Sequence, residues 1–341
     1  MVATLPVIAL TGYLGAGKTT LLNHLLRTPG ARIGVVVNDF GAINVDAALV
    51  AGQVDEPASI AGGCLCCLPD AGGLDEALEK LAHPSRRLDA IVVEASGIAE
   101  PAVLARLLRF NGVERVRPAG LVDVVNAVDH LETVDRGGPP LARYAAASLV
   151  VVNKIDQVPP AARAERLDRI AARVREGNPR VHLVATTKGR IDPLLVFDPA
   201  TRPETGDQLP LDLGSAGTAH SDHSHAHPHA DAVTVTVAEP IDPGRLIELL
   251  EQPPLSVYRL KGCVRVCTGG PPRRQLVNLV GRQVHIADAS SATSPDALVA
   301  IGMHLDRVAV RSRLEQALAP ATARPSAASL RRLLRYRRLS A

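Results

Sequence analysis

The chain has 341 residues, a length that fits two domains. Hydrophobic residues at 46% against 21% charged exclude wholesale disorder. Aromatics at 2% with no Trp, and a net charge of +3, exclude a base-stacking nucleic-acid surface and a general polyanion binder.

The first ten residues carry no basic residue ahead of their apolar stretch, so a signal peptide is not expected. No apolar run approaches the roughly 20 residues needed to cross a bilayer. The expected location is therefore cytoplasmic. Residues 6–11 form a short apolar run followed by Gly12, and helical character follows over 21–26. Further apolar, β-branched runs lie at 33–37, 90–93, 120–125 and 149–152, with helix-like stretches at 74–81, 102–110 and 161–174. Strands alternating with helices predict an α/β fold, a mainly parallel sheet covered by helices on both faces. This pattern fills residues 1–197. Residues 198–231 are rich in Pro, Gly, Thr, Asp and His and read as a His-rich flexible linker. From Val233 the chain alternates again, and strands at 257–266, 275–279 and 283–286 with helices at 243–250 and 306–318 predict a smaller α+β domain over 232–320. A tail, 321–341, has six Arg and no acid.

Gly12-Tyr13-Leu14-Gly15-Ala16-Gly17-Lys18-Thr19 matches G-x-x-x-x-G-K-[ST] between a predicted strand and a predicted helix, the context of a P-loop NTPase. Gly12, Gly15, Ala16 and Gly17 would turn backbone N–H groups toward phosphate oxygens, and the helix N-terminus adds partial positive charge. Lys18 would reach the β- and γ-phosphates. Thr19 would ligate Mg²⁺, with Thr20 beside it. After the run ending at Val152 come Asn153-Lys154-Ile155-Asp156. The Asp156 carboxylate can accept from N1–H and the exocyclic amine of guanine, a donor pair that adenine lacks. The Lys154 stem can lie on the ring, and Asn153 can bond the N7 edge or tie loops together. GTP is therefore expected over ATP.

Glu94-Ala95-Ser96-Gly97 ends another buried-strand pattern. Glu94 can order Mg²⁺ through water or position the attacking water, and Gly97 would let the backbone approach the γ-phosphate. Asp39, in Asn38-Asp39-Phe40-Gly41, and Asp123 stand at comparable strand ends. Each reads equally as a solvated loop residue or a site residue.

Of the five Cys, three crowd into Gly62-Gly63-Cys64-Leu65-Cys66-Cys67. An odd, clustered set in a reducing compartment reads as metal binding or redox chemistry before it reads as a disulfide frame, with buried structural Cys the plainer alternative. Thiolates suit Zn²⁺ or Cu⁺, with Zn–S near ~2.3 Å, and three of them leave a tetrahedral ion one ligand short. Such a shell suits transfer better than storage. His220, His223, His225, His227 and His229 read as a weak metal collector in the linker, or as a solvated loop that binds metal incidentally. Cys263 and Cys267 read as core, and the remaining His as structural.

Together these residues resemble the CobW-type GTPases, the metal-chaperone family related to the nickel-insertion GTPases of urease and hydrogenase. Gly12–Thr19, Asn38 to Gly41, Gly62 to Cys67, Glu94 to Gly97 and Asn153 to Asp156 carry the resemblance, and Arg259-Leu260-Lys261-Gly262 resembles a signature of its C-terminal domain. Asp39 stands where family members often carry Glu. The resemblance implies GTP hydrolysis, with Mg²⁺, coupled to binding Zn²⁺ or Co²⁺ and delivering it to a client metalloprotein. A homodimer is a further option, and neither nucleic acid nor membrane is an expected partner. Two other classes stay open: a metal buffer or sensor with incidental GTPase activity, and an activator of one specific metalloenzyme.

Asp156→Ala should erase most of the preference for GTP over ATP, a loss of roughly 1–3 kcal/mol for a buried polar pair. Competition binding with the two nucleotides checks this, and equal affinities in the unaltered protein would refute the guanine assignment.

Overall fold

The computed structural model describes residues 4–29, 31–38, 58–60, 72–95, 100–138, 141–197, 229–289 and 295–340. Two sheets organise them. The first has seven strands in the order β3-β2-β4-β1-β5-β6-β7. They are β1 (Leu5–Gly12), β2 (Ile33–Asn38), β3 (Ala58–Ile60), β4 (Ala90–Glu94), β5 (Val116–Asn126), β6 (Leu149–Asn153) and β7 (His182–Ala185). Every pairing is parallel, so all the carboxyl ends lie along one edge. The expected α/β class is observed. The strands β3 and β7 were not anticipated. Each is too short, at 3 and 4 residues, to show a period against its flanks.

Central strands such as β4 and β6 are buried along their whole length, as a sheet covered on both faces requires. One face packs against α2 (Gly72–Leu81), α3 (Pro101–Arg109), α5 (Ala142–Ala146) and α6 (Arg163–Gly177), through Leu74, Leu104, Tyr144 and Ile170. The short helix α4 (His130–Thr133) lies between α3 and α5 in the chain. The other face packs against α1 (Lys18–Leu26) and the segment holding Ile191, Leu195 and Phe197.

The second sheet has the order β11-β10-β9-β12-β8, all antiparallel. Its strands are β8 (Asp231–Thr236), β9 (Val257–Val266), β10 (Arg273–Val280), β11 (Gln283–Asp288) and β12 (Ala297–Gly302). Helices α7 (Pro243–Glu251), α8 (Arg307–Leu318) and α9 (Ala327–Leu339) supply Leu246, Leu314 and Leu333 to its core. This sheet begins at Asp231, one residue inside the expected linker. Asp231 pairs with Gly302 and its carboxylate accepts from Leu305 N at 3.1 Å, which holds it in the ladder. Residues 327–339 of the Arg-rich tail are the helix α9.

Successive residues of β9, β10 and β12 serve two different cores. Val257, Leu279 and Ala300 enter the second core, whereas Tyr258, Val280 and Ile301 enter the first. The two-residue period makes this division in β10 and β12, whereas in β9 a register shift opposite Ile301 and Gly302 turns both Tyr258 and Arg259 toward the first core. Tyr258 Oη lies 3.2 Å from Ser148 Oγ, and its ring is 5.1 Å from that of His182. Burial holds His182 well below its ordinary pKa, at about 4, so it is neutral in this apolar contact. Arg259 Nη1 donates to Leu194 O at 2.6 Å across the same junction.

Gly262, in the middle of β9, has φ +154°, and a Cβ there would sit 1.9 Å from Ala297 O. The conflict is backbone against backbone, so no side-chain rotation relieves it. Gly262→Ala should therefore destabilise the protein by about 3 kcal/mol or more. Gly137, at φ +103°, has nothing within 4 Å of the same position. Gly137→Ala should cost only about 1–2 kcal/mol of backbone strain. Thermal melts of the two variants test the difference.

Candidate nucleotide site

Four strand ends meet at one edge. Leu10 is in register with Glu94, Glu94 with Val37, and Asn38 with Ile60. The phosphate loop leaves β1 at this edge and turns into α1. Gly12 has φ +150°, and a Cβ there would lie 2.6 Å from Val124 O. Gly17 caps α1 in the left-handed region at φ 101°, and its missing Cβ would fall 2.2 Å from Asn153 Nδ2. Glycine at both positions follows from backbone geometry and close approach.

Lys18 is buried, and its ammonium donates to Gly12 O at 2.9 Å, curled over the loop it belongs to. Thr19 Oγ1 donates to Glu94 Oε1 at 3.0 Å. A hydroxyl from the first turn of α1 and a buried carboxylate from the end of β4 thus share one point. Hard oxygen donors in this arrangement fit Mg²⁺. Thr20 is exposed on the same turn.

Asn153 ends β6 and is buried. Its Nδ2 donates to Ala16 O at 3.0 Å, and its Oδ1 accepts from Gly189 N at 2.9 Å. Of its two sequence roles, the geometry is that of the tie between loops. Lys154 follows in the left-handed region at φ 63°, and Asp156 is exposed on the same turn. Beyond β7, Thr186-Thr187-Lys188-Gly189 closes the group. Thr186 is buried with its hydroxyl donating to Arg190 O, and a Cβ at Gly189 would lie 2.7 Å from Leu21 N. Sequence reasoning missed this loop. A Thr-Thr-Lys-Gly run after an apolar strand was the available signal.

Asp123 is not a ligand facing the phosphates. It is fully buried, accepts from Thr11 Oγ1 at 2.8 Å, and pairs with Arg143 through Nε at 2.9 Å and Nη2 at 2.5 Å. The Arg143 guanidinium also lies 4.2 Å from the ring centroid of Tyr13, inside the phosphate loop. Burial works against the Arg143 charge, but the bond to Asp123 outweighs it and raises the Arg143 pKa. Cys263 and Cys267 are half-buried rather than core, Cys263 within β9 and Cys267 one residue past its end. His130 and His285 are buried and structural, as expected. His229 is exposed, its Nδ1 4.0 Å from Asp192 Oδ2. Asp39, Cys64, Cys66, Cys67, Gly97, His220, His223, His225 and His227 lie outside the described residues. Among the described residues no three His, Cys, Asp or Glu side chains group as a metal site.

The family described as CobW/HypB/UreG, nucleotide-binding domain, matches residues 6–182, and the cobalamin synthesis protein cobW C-terminal domain matches residues 230–318. The chain belongs to the CobW family. It is a GTPase of that family. A protein named zinc chaperone CobW from Pseudomonas aeruginosa is 34% identical, over 93% of this chain and 92% of that protein. The zinc chaperone YjiA of Escherichia coli is 32% identical, over 56% of this chain and 60% of its own length. A solved structure of zinc-bound YjiA GTPase from E. coli has TM-score 0.37 at 20% identity, covering 92% of this chain and 98% of that one. No helix among the described residues is long and apolar enough to cross a membrane.

Removing the Arg143 side chain would leave the Asp123 carboxylate buried without its cation, a loss of about 3–5 kcal/mol. It would also free the Tyr13 half of the phosphate loop. Arg143→Ala should lower the melting temperature and raise KM for GTP more than it lowers kcat. Steady-state kinetics with a thermal melt checks this, and an unchanged KM in a folded variant would refute the link to the loop.

Proposed function

We propose that this protein is a GTP-driven metallochaperone that takes up Zn²⁺ or Co²⁺ at Cys64, Cys66 and Cys67 and delivers it to a client metalloprotein. The register of the strand ends supports this reading. Ile60 closes β3 at the same edge as Glu94 and the phosphate loop, and the sequence reaches Gly62 and the three Cys within seven residues of it. The metal motif and the nucleotide motif therefore issue from one side of one sheet.

GTP is the substrate, held by the loop amides around Gly12 to Gly17 and read by Asp156. Thr19 and Glu94 would hold Mg²⁺, which supplies positive charge at the β- and γ-phosphates when bound. Lys18 offers its ammonium to the γ-phosphate in place of the loop carbonyls, and so stabilises charge that grows in the transition state. Glu94 also serves to orient the attacking water. Gly97 and Asp39 follow the same strand ends, where a change at the γ-phosphate is felt first. Loss of that phosphate relaxes these segments, lowers the affinity of the thiolates for metal, and releases the ion to a docked client. His220, His223, His225, His227 and His229 gather metal weakly for the thiolate site. The setting is the cytoplasm, and a homodimer is compatible with this cycle.

Replacing Cys64, Cys66 and Cys67 together by Ser should remove one tight metal equivalent and leave GTP binding intact, since hydroxyls are poor substitutes for thiolates. Metal analysis of the purified protein, with and without a non-hydrolysable GTP analogue, makes the measurement. A tight equivalent that survives in the triple variant would overturn the assignment. A tight equivalent indifferent to the analogue would favour a metal buffer over a chaperone.

Deleting residues 218–228 should remove only weaker metal equivalents. These should fade as pH falls below about 6.5, where imidazole takes a proton instead of a metal. Metal stoichiometry against pH for both proteins decides it, and loss of the tight equivalent would show that the His run completes the thiolate site.

A further inference from the structure

The C-terminal helix α9 divides its five arginines by face. On the inner side Leu333 is buried in the second core. Beside it Arg332 Nη2 pairs with Glu251 Oε2 at 2.5 Å, Arg337 pairs with Asp288, and Tyr336 Oη donates to Glu251 Oε1 at 3.1 Å. Ser340 Oγ accepts from Ile286 N at 3.0 Å, pinning the end of the helix to β11. The helix is therefore fixed in rotation. Its outer side carries Arg331, Arg335 and Arg338, exposed and in no ion pair among the described residues. Between them lie Leu334 at 46% exposure and Leu339 at 62%. These five side chains line one shallow groove.

We propose that this groove is a docking site for an acidic amphipathic helical segment of another protein. Three cations one turn apart on a single helix face repel each other, and among the described residues no carboxylate pairs with them to offset that repulsion. A guanidinium fork is matched best by a carboxylate, which it grips with two parallel hydrogen bonds. The alternation of Arg and Leu at spacings of three and four suits a second helix with leucines along one stripe and carboxylates flanking it. A second copy of this face would bring three arginines against three arginines. A phosphate backbone would satisfy the charges but bury the leucines against polar groups. A membrane would have only two leucines to take up, with the helix barred from rolling and its one aromatic, Tyr336, bonded to Glu251. That the partner is a client for metal rests on the delivery reading above; the docking itself does not, and its test uses neither nucleotide nor metal.

The experiment is fluorescence anisotropy with the full-length protein. The probe is a labelled peptide with leucine at every third or fourth position and glutamate beside each. Binding should weaken about tenfold or more when glutamate is replaced by glutamine in the probe, or when Arg331, Arg335 and Arg338 are together changed to Gln. It should also weaken with rising salt. Leu334→Ser alone should weaken it without altering the salt dependence. All these variants should keep the GTP turnover and melting temperature of the unaltered protein. Should the triple Arg variant fail to fold, the glutamine probe and Leu334→Ser still decide the question. No binding of the glutamate probe, or binding indifferent to these changes, overturns the proposal. So does tighter, Arg-dependent binding to phosphatidylserine-containing vesicles or to a single-stranded oligonucleotide. Arg-dependent self-association by sedimentation does the same.

Discussion

One side-chain amide holds the nucleotide site in shape. Asn153 gives its N–H to the carbonyl of Ala16 and takes the N–H of Gly189, and it is buried while doing so. It thereby joins the phosphate loop after β1 to the loop after β7, two segments more than 170 positions apart. Both bonds are made by one planar group at fixed separation, so neither loop can move without breaking a buried hydrogen bond. The absent Cβ of Gly17 is what lets the amide come so near, since an atom there would lie 2.2 Å from Nδ2. Asp156 hangs from the same turn. The positions proposed to meet phosphate and the position proposed to meet base are thus set relative to one another before any nucleotide arrives.

The Asp123–Arg143 pair does the same work from the other side. Its charges are buried, so it contributes shape rather than much net stability. Thr11 and Tyr13 bracket Gly12, and each touches a member of the pair. The loop therefore has two anchors, an amide beneath its second half and an ion pair beneath its first.

These anchors explain what was legible in the sequence. Gly12 to Thr19 could be read because one contiguous run holds every needed part and its glycines have geometric causes. Glu94 could be read because it ends a run buried throughout. Asp123 looked the same on the page, an acid at a strand end, and its two sequence readings, solvated loop or site residue, both missed the buried ion pair. Its partner sits on α5, 20 positions later, and no local pattern ties the two. The loop at Thr186 was missed because its place beside Asn153 depends on where β7 puts it. The period-two pattern of the second sheet was legible, but not that its alternate faces belong to different cores. Only the assembled junction shows neighbours such as Leu279 and Val280 parting company. Gly262 was legible as part of a family signature, and Ala297 O supplies its physical reason.

The placement of the second sheet bears on how a signal could travel. Tyr258 touches Ser148, just ahead of β6, and a Cβ on Gly281 would come within 3.0 Å of the Ser148 side chain. The second sheet is therefore seated toward the amino ends of β5 and β6. The nucleotide edge lies at the opposite ends of these strands. A parallel sheet buried on both faces is close-packed and does not bend to transmit small shifts. A change at the γ-phosphate must then be expressed in the segments that leave the carboxyl edge, after Asn38, Ile60 and Glu94. In the proposed cycle those segments bring Asp39, the three Cys and Gly97. That carboxyl edge is then where metal would be gained and lost. The second sheet, with α9 on its far side, can hold a partner without standing in the way.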